Sequence, residues 1–225
     1  MKKRHGTVAY GVKTGKGFYD WSERSIETDM KKRSHLFVTR EIIEQVPQNK
    51  RKWLLLGSIL PDILVHTYIK KHTWKSSFDN TVNRIQKLEE KGKNSRYSFL
   101  KLGYVLHYVE DFFTYAHNSI FEGGFSEHVA YESGFQKFLF GHGHVEQEET
   151  SRIGEMVHSV EEAVEYLKKK HALYMTEAGD NETDARYIRN ASKTIGTFLV
   201  RAFAMNSVAA EEYVPAYALA PSYRK

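Results

Sequence analysis

Cysteine is wholly absent from this 225-residue chain. That excludes disulfides, thiolate zinc fingers, iron–sulfur clusters and cysteine nucleophiles, so any metal has to sit on nitrogen and oxygen. Proline and glycine are scarce, at 4 and 15 residues, which points to a helix-rich chain. Long apolar runs are missing too: stretches such as residues 53–56 are soon interrupted, far short of the roughly twenty residues that cross a bilayer. The basic opening MKKRHGTVAYGV has no apolar signal-peptide core, because Gly6, Thr7, Tyr10 and Gly11 break it up. The expectation is a cytoplasmic protein without a transmembrane segment, with secretion as the runner-up. A strong charge of one sign is also lacking. The 33 Lys and Arg against 28 Asp and Glu leave +5, enough to favour anionic partners at long range but too little to establish nucleic-acid binding. What is present is a 41% hydrophobic share, ample for one large core, and eleven histidines, which invite a search for ligands.

Apolar periodicity predicts helices along most of the chain. From Ser34, the residues Leu36, Phe37, Ile42, Ile43 and Val46 recur at near-helical spacing until Pro47. Residues 50–60 form an apolar block, after which Pro61 is expected to force Leu60 out of the helical region and expose Asp62 at a helix junction. Residues 76–92 read as an amphipathic helix stopped by Gly92. Asn94 or Ser95 caps the next helix, which is apolar on nearly every side from Tyr97 to Phe112 and belongs in the middle of a bundle. A glycine-bearing loop at 121–126 leads to a shorter helix at 128–140 and a break at Gly141-His142-Gly143-His144. Two long helices follow at 146–174 and 182–213, parted by Ala178-Gly179-Asp180-Asn181. No internal repeat or strand-period alternation is visible. The fold class is therefore all-α, a single helical-bundle domain over 31–213, with an N-terminal arm at 1–30 and a tail at 214–225.

The chemistry concentrates at Leu102-Gly103-Tyr104-Val105-Leu106-His107-Tyr108-Val109-Glu110-Asp111 and just beyond. His107 and Asp111 are four apart, so on a helix they rise from one face, one turn above the other. Each costs several kcal/mol to bury in an apolar helix unless satisfied, and a divalent metal satisfies both. On a continued helix His117 swings roughly 80° away and faces a neighbouring position. A second pair, His128 and Glu132, is again four apart, and with His117 it makes a two-nitrogen, one-carboxylate set common in hydrolytic zinc sites. Upstream, His35, Asp62, His66 and His72 add further donors. A lone histidine on an apolar helix is more often a hydrogen-bonded core residue, but two such pairs close together outweigh that reading. His5, His158 and His171 read as solvated, and His142 and His144 as rim residues.

The ordered series Ser34-His35-Leu36-Phe37-Val38, Asp62, His72, Leu102-Gly103-x-x-Leu106-His107-Tyr108-x-x-Asp111-x5-His117-Asn118 and His128-x-x-x-Glu132 resembles the bacterial zinc-dependent phospholipase C family. That family is related to fungal single-strand nucleases sharing an all-helical trinuclear zinc site, and the likeness covers roughly residues 21 to 140. It implies two or three Zn2+ ions. His107 and Asp111 would hold a close pair, with Asp111 bridging, His72 (preferred to His66 for its neighbours Thr73-Trp74) completing one ion and His35 binding the other. His117, His128 and Glu132 would hold the third. Asp62 would act as general base or orienting group, so Asp62 and Asp111 are the catalytic assignments. In secreted members a tryptophan freed as the N-terminus ligates zinc; the nearest match here, Trp21-Ser22, is internal.

The implied activity is phospholipase C-like hydrolysis of a phosphodiester by a metal-activated water, with phospholipid as substrate and peripheral membrane contact. Two close cations lower the pKa of a water and stabilise the leaving oxygen, so no protein nucleophile is needed. There is no phosphate-binding loop of P-loop type, no Gly-x-Ser-x-Gly and no His-Glu-x-x-His, which leaves kinase, serine hydrolase and zincin readings without support. One alternative is a single-strand nuclease, with nucleic acid as substrate and Tyr104, Tyr108, Phe112, Phe113 and Tyr115 as stacking platforms; core packing explains those aromatics better. The other is a non-catalytic metal-binding protein of the same fold. The basic runs at 50–52 and 168–170 read as solvated faces.

Overall fold

A computed structural model gives the architecture over residues 30–63, 73–142 and 156–212. Nearly all of the sequence's N-terminal arm and all of its tail lie outside these residues. Seven α-helices occupy the described residues, with no strand among them. They are α1 (Met30–Thr39), α2 (Gln48–Ile63), α3 (Trp74–Lys91), α4 (Arg96–Asp111), α5 (Phe125–His142), α6 (Val160–Glu177) and α7 (Asn181–Glu212). Two 3-10 turns, Arg40–Gln45 and Tyr115–His117, complete the set. No described helix is long and apolar enough to cross a membrane.

The helix apolar on every side, α4, is the centre of the molecule and packs against α1, α2, α3 and α7. Ser95 caps it, accepting a hydrogen bond from Ser98 N. Phe99, Leu102, Val105, Leu106 and Val109 are all buried along it, each worth about 1.5–3 kcal/mol relative to exposure. Its closest neighbour is α2, and glycines explain how close. A Cβ at Gly103 would stand 2.0 Å from Leu54 O, and one at Gly57 would stand 2.0 Å from Leu100 O. The two backbones therefore touch where any side chain would hold them apart.

Several boundaries differ from the sequence pattern. The run expected from Ser34 to Pro47 is split between α1 and the 3-10 turn Arg40–Gln45. Helix α5 begins at Phe125, inside the expected loop, and runs through Gly141 to His142, where a break was expected. Pro61 does not end α2: it lies inside the helix, and Asp62 projects from the helical turn that contains it. A proline this near the last described turn forfeits one hydrogen bond to Gly57, and the contact with α4 holds the helix through it. Helix α3 begins two residues before the expected start, because Thr73 forms a reciprocal capping box with Ser76. At the C-terminal side, α6 starts at Val160, where Ser159 accepts from Glu162 N, rather than at 146; residues 146–155 lie outside the described ones. Gly92 does follow α3, but in an extended conformation. Its reason is space, since a Cβ there would meet the Phe203 ring at 2.2 Å.

Candidate metal centre

Helix α4 delivers His107 and Asp111 one turn apart, and the close α2–α4 contact decides how His107 is held. Its ring is fully buried, and Nδ1 lies 2.9 Å from Ser58 O. A carbonyl only accepts, so Nδ1 carries the proton and donates it, leaving Nε2 as the donor atom for a ligand. Nε2 faces Asp111 Oδ2 at 3.3 Å and Asp62 Oδ1 at 3.7 Å. Asp62 Oδ2 is buried with no hydrogen-bond partner among the described residues.

His35, from α1, is held in the same way by a different partner. Its Nδ1 donates to Glu110 Oε2 at 2.5 Å, and Nε2 lies 3.6 Å from Asp111 Oδ1. The rings of His35 and His107 are 4.0 Å apart, with each Nε2 directed at Asp111. Glu110 is itself buried, and its other oxygen accepts from Thr39 Oγ1 at 3.3 Å and Ser192 Oγ at 3.0 Å. Three donors on one buried carboxylate offset a desolvation cost of several kcal/mol.

The second cluster is built by a turn. The chain leaves α4 at Asp111 and closes on itself, because Asn118 Nδ2 donates to Phe112 O and Thr114 O. A continued helix is thereby overturned, and His117 reaches the site from the 3-10 turn Tyr115–His117. Its Nε2 lies 3.1 Å from Glu132 Oε1, which also sits 2.9 Å from His128 Nε2 one turn away on α5. The other nitrogen, Nδ1, is 3.8 Å from Asp111 Oδ2. Asp111 thus stands between the two clusters.

Donor atoms of His35, Asp62 and His107 all lie within 4.8 Å of one another, and so do those of His117, His128 and Glu132; each set could hold a metal ion. The electrostatics agree. Burial alone would lower the pKa of His107, yet Asp111, Asp62 and Glu110 outweigh it and push the imidazole up to about 9. Such a concentration of carboxylates favours a cation, and imidazole with carboxylate is a donor set suited to zinc. A cavity of about 740 Å³ opens onto both clusters, with Trp74, Phe121, Phe125 and Phe135 in its apolar wall. That is room for a small organic ligand beside the ions.

A family model for zinc-dependent phospholipase C matches residues 34–181. The chain belongs to the zinc-dependent phospholipase C family. No curated protein and no solved structure gave a significant match. Of the residues singled out in the sequence, the structure brings His35, Asp62, His107 and Asp111 together in one group and His117, His128 and Glu132 in another. His72 lies outside the described residues, as do His66, His5, His144 and Trp21, and of the His142 side chain nothing is described.

One histidine differs from expectation. His171 is not solvated: it is buried, its ring stacks on Trp74 at 3.7 Å, and its Nε2 donates to Asn118 Oδ1 at 2.9 Å. Burial lowers its pKa to about 4. His158 is exposed, as expected. Glu110 escaped the sequence reading altogether. Its only local signal was a second acid in an apolar helix beside Asp111, and its partners come from α1 and α7. The aromatics weighed as stacking platforms are not on the cavity wall: Phe112 and Phe113 are fully buried, and Tyr104 pairs with Tyr108 at 3.2 Å between hydroxyls.

Proposed function

We propose that this member of the family is a zinc-dependent phosphoesterase that hydrolyses the phosphodiester of a phospholipid. The observation that carries the reading is Asp111, one buried carboxylate with Oδ1 toward His35 and Oδ2 toward His107 and His117. His35, Asp62 and His107 would form one ligand group and His117, His128 and Glu132 another, with Asp111 facing both and His72 expected as a further ligand to the first. Two or three Zn2+ ions bound there supply Lewis-acid stabilisation of the phosphate oxygens and lower the pKa of an attacking water.

The chain's own residues do the rest. Glu110 and the Ser58 carbonyl fix the two imidazoles so that Nε2 of each stays directed at the centre. Asp62 Oδ2, buried beside the cavity, accepts the proton of the attacking water as general base. Water adds to phosphorus, the ester bond to the lipid glycerol breaks, and the products are diacylglycerol and a phosphorylated headgroup. Trp74, Phe121, Phe125 and Phe135 give the lipid side an apolar wall.

The test is metal analysis followed by assays of the zinc-loaded protein on phosphatidylcholine, a chromogenic phosphodiester and single-stranded DNA. The expected result is bound zinc, headgroup release and intact DNA. Cleavage of DNA in place of lipid would turn the reading to a nuclease, and no turnover of any substrate would turn it to a binding protein.

A further inference from the structure

Asp184 lies three residues beyond the family match, on the first turn of α7, and is fully buried. Three donors converge on it. Oδ2 accepts both the backbone N–H of Tyr115 and the hydroxyl of Tyr131, each at 2.8 Å, and Oδ1 accepts the hydroxyl of Tyr174 at 2.7 Å. The two groups on Oδ2 matter for function. Tyr115 opens the 3-10 turn that carries His117, and Tyr131 precedes Glu132 on α5, one turn from His128. A single oxygen therefore ties together the two chain segments that supply the second cluster.

We propose that Asp184 is a positioning residue for the His117, His128 and Glu132 group, setting its metal affinity by fixing the turn against α5. This rests on the metal reading above. A metal group tolerates displacements of only about 0.5 Å before it weakens, and the turn and the helix are remote in sequence. Tyr174, by contrast, belongs to α6, which supplies no residue to either cluster. Its bond to Oδ1 is the built-in control, more deeply buried than that of Tyr131 and on the same carboxylate.

The experiment is zinc titration by chelator competition on the full chain, with melting temperature measured in parallel. His128→Ala identifies the binding step that belongs to the second cluster. Asp184→Ala and Tyr131→Phe are expected to weaken that same step by roughly 10–100-fold, the range for outer-shell partners, and to leave the other step unchanged. Asp184→Asn is expected to bind like wild type: its amide oxygen accepts from Tyr115 N–H and Tyr131 OH while its NH2 donates to the Tyr174 oxygen. Tyr174→Phe is expected to lower the melting temperature without moving zinc affinity. Wild-type affinity in Tyr131→Phe overturns the proposal even if Asp184→Ala fails to fold. So does an equal loss in Tyr174→Phe, which would show general destabilisation, or a loss in Asp184→Asn. If His128→Ala keeps the full zinc content of wild type, the metal reading itself is wrong and the positioning role goes with it.

Discussion

At Asp111 one carboxylate faces three imidazoles, so its two oxygens cannot be replaced singly without loss. Asp111→Asn substitutes a neutral NH2 donor for one of them; zinc content is expected to fall substantially and phosphodiesterase activity to fall by more than tenfold. Near-wild-type zinc and turnover would refute the assignment. His158→Ala, on the exposed surface, should change neither. His171 and Asp184 give an opposed pair of pH effects. The folded-state pKa of His171 is lowered from 6.5 to about 4 by burial, so it contributes stability above pH 6.5 that is lost as pH falls through 4. Burial raises Asp184 from 3.8 to about 6, despite its three donors, so its effect runs the other way: stability is lost as pH rises through 6. Melting temperatures of metal-free wild type and His171→Gln between pH 7 and pH 4 test this. Wild type should lose ground to the variant on acidification, and a constant gap would show that His171 does not titrate differently in the fold. At this scale the i, i+4 spacing of His107 with Asp111 and of His128 with Glu132 was legible in the sequence and marked them as candidate donors. It could not disclose Glu110, Ser58 or Asp184, whose roles depend on partners from distant helices.

Among the elements, the contact of α2 with α4 connects packing to chemistry. Gly57 and Gly103 let the backbones meet, and one turn further along the same contact Ser58 O receives His107 Nδ1 while Asp62 comes within reach of its Nε2. Gly103→Ala would place a Cβ 2.0 Å from a backbone carbonyl, so the helices must separate, at a cost of about 1–3 kcal/mol or more. The expected outcome is a lower melting temperature together with weaker zinc binding, measured on the same sample. Gly134 on α5 is the contrast, since a Cβ there would meet nothing within 4 Å; Gly134→Ala should stabilise by about 0.5–1 kcal/mol through helix propensity alone. Helix existence was legible from apolar periodicity, and Ser95 and Gly92 were legible as boundaries. The continuation of α2 through Pro61 was not, because the packing that sustains it is tertiary, and the turn at 112–118 was hidden because Asn118 closes it with side-chain bonds that leave no periodic trace.

For the molecule as a whole, the two clusters tie α1, α2, α4, α5 and the turn before α5 to a common centre, so bound metal should stabilise the fold. Chelation is expected to lower the melting temperature and added zinc to restore it, with about 2.7 kcal/mol gained at a free concentration of 100 times Kd. An unchanged melt after complete removal of zinc would show that the clusters are satisfied without it. The sequence by itself determined the helical class, the nitrogen and oxygen character of any metal site and a set of candidate donors, because composition and 3.6-residue periodicity are local properties of the chain. Only the tertiary structure decided which donors share a group, which nitrogen of His35 and of His107 faces Asp111, and that Glu110 and the Ser58 carbonyl hold the other nitrogen of each ring. Those outcomes depend on distances between helices, which the close glycine contact and the fold around α4 establish.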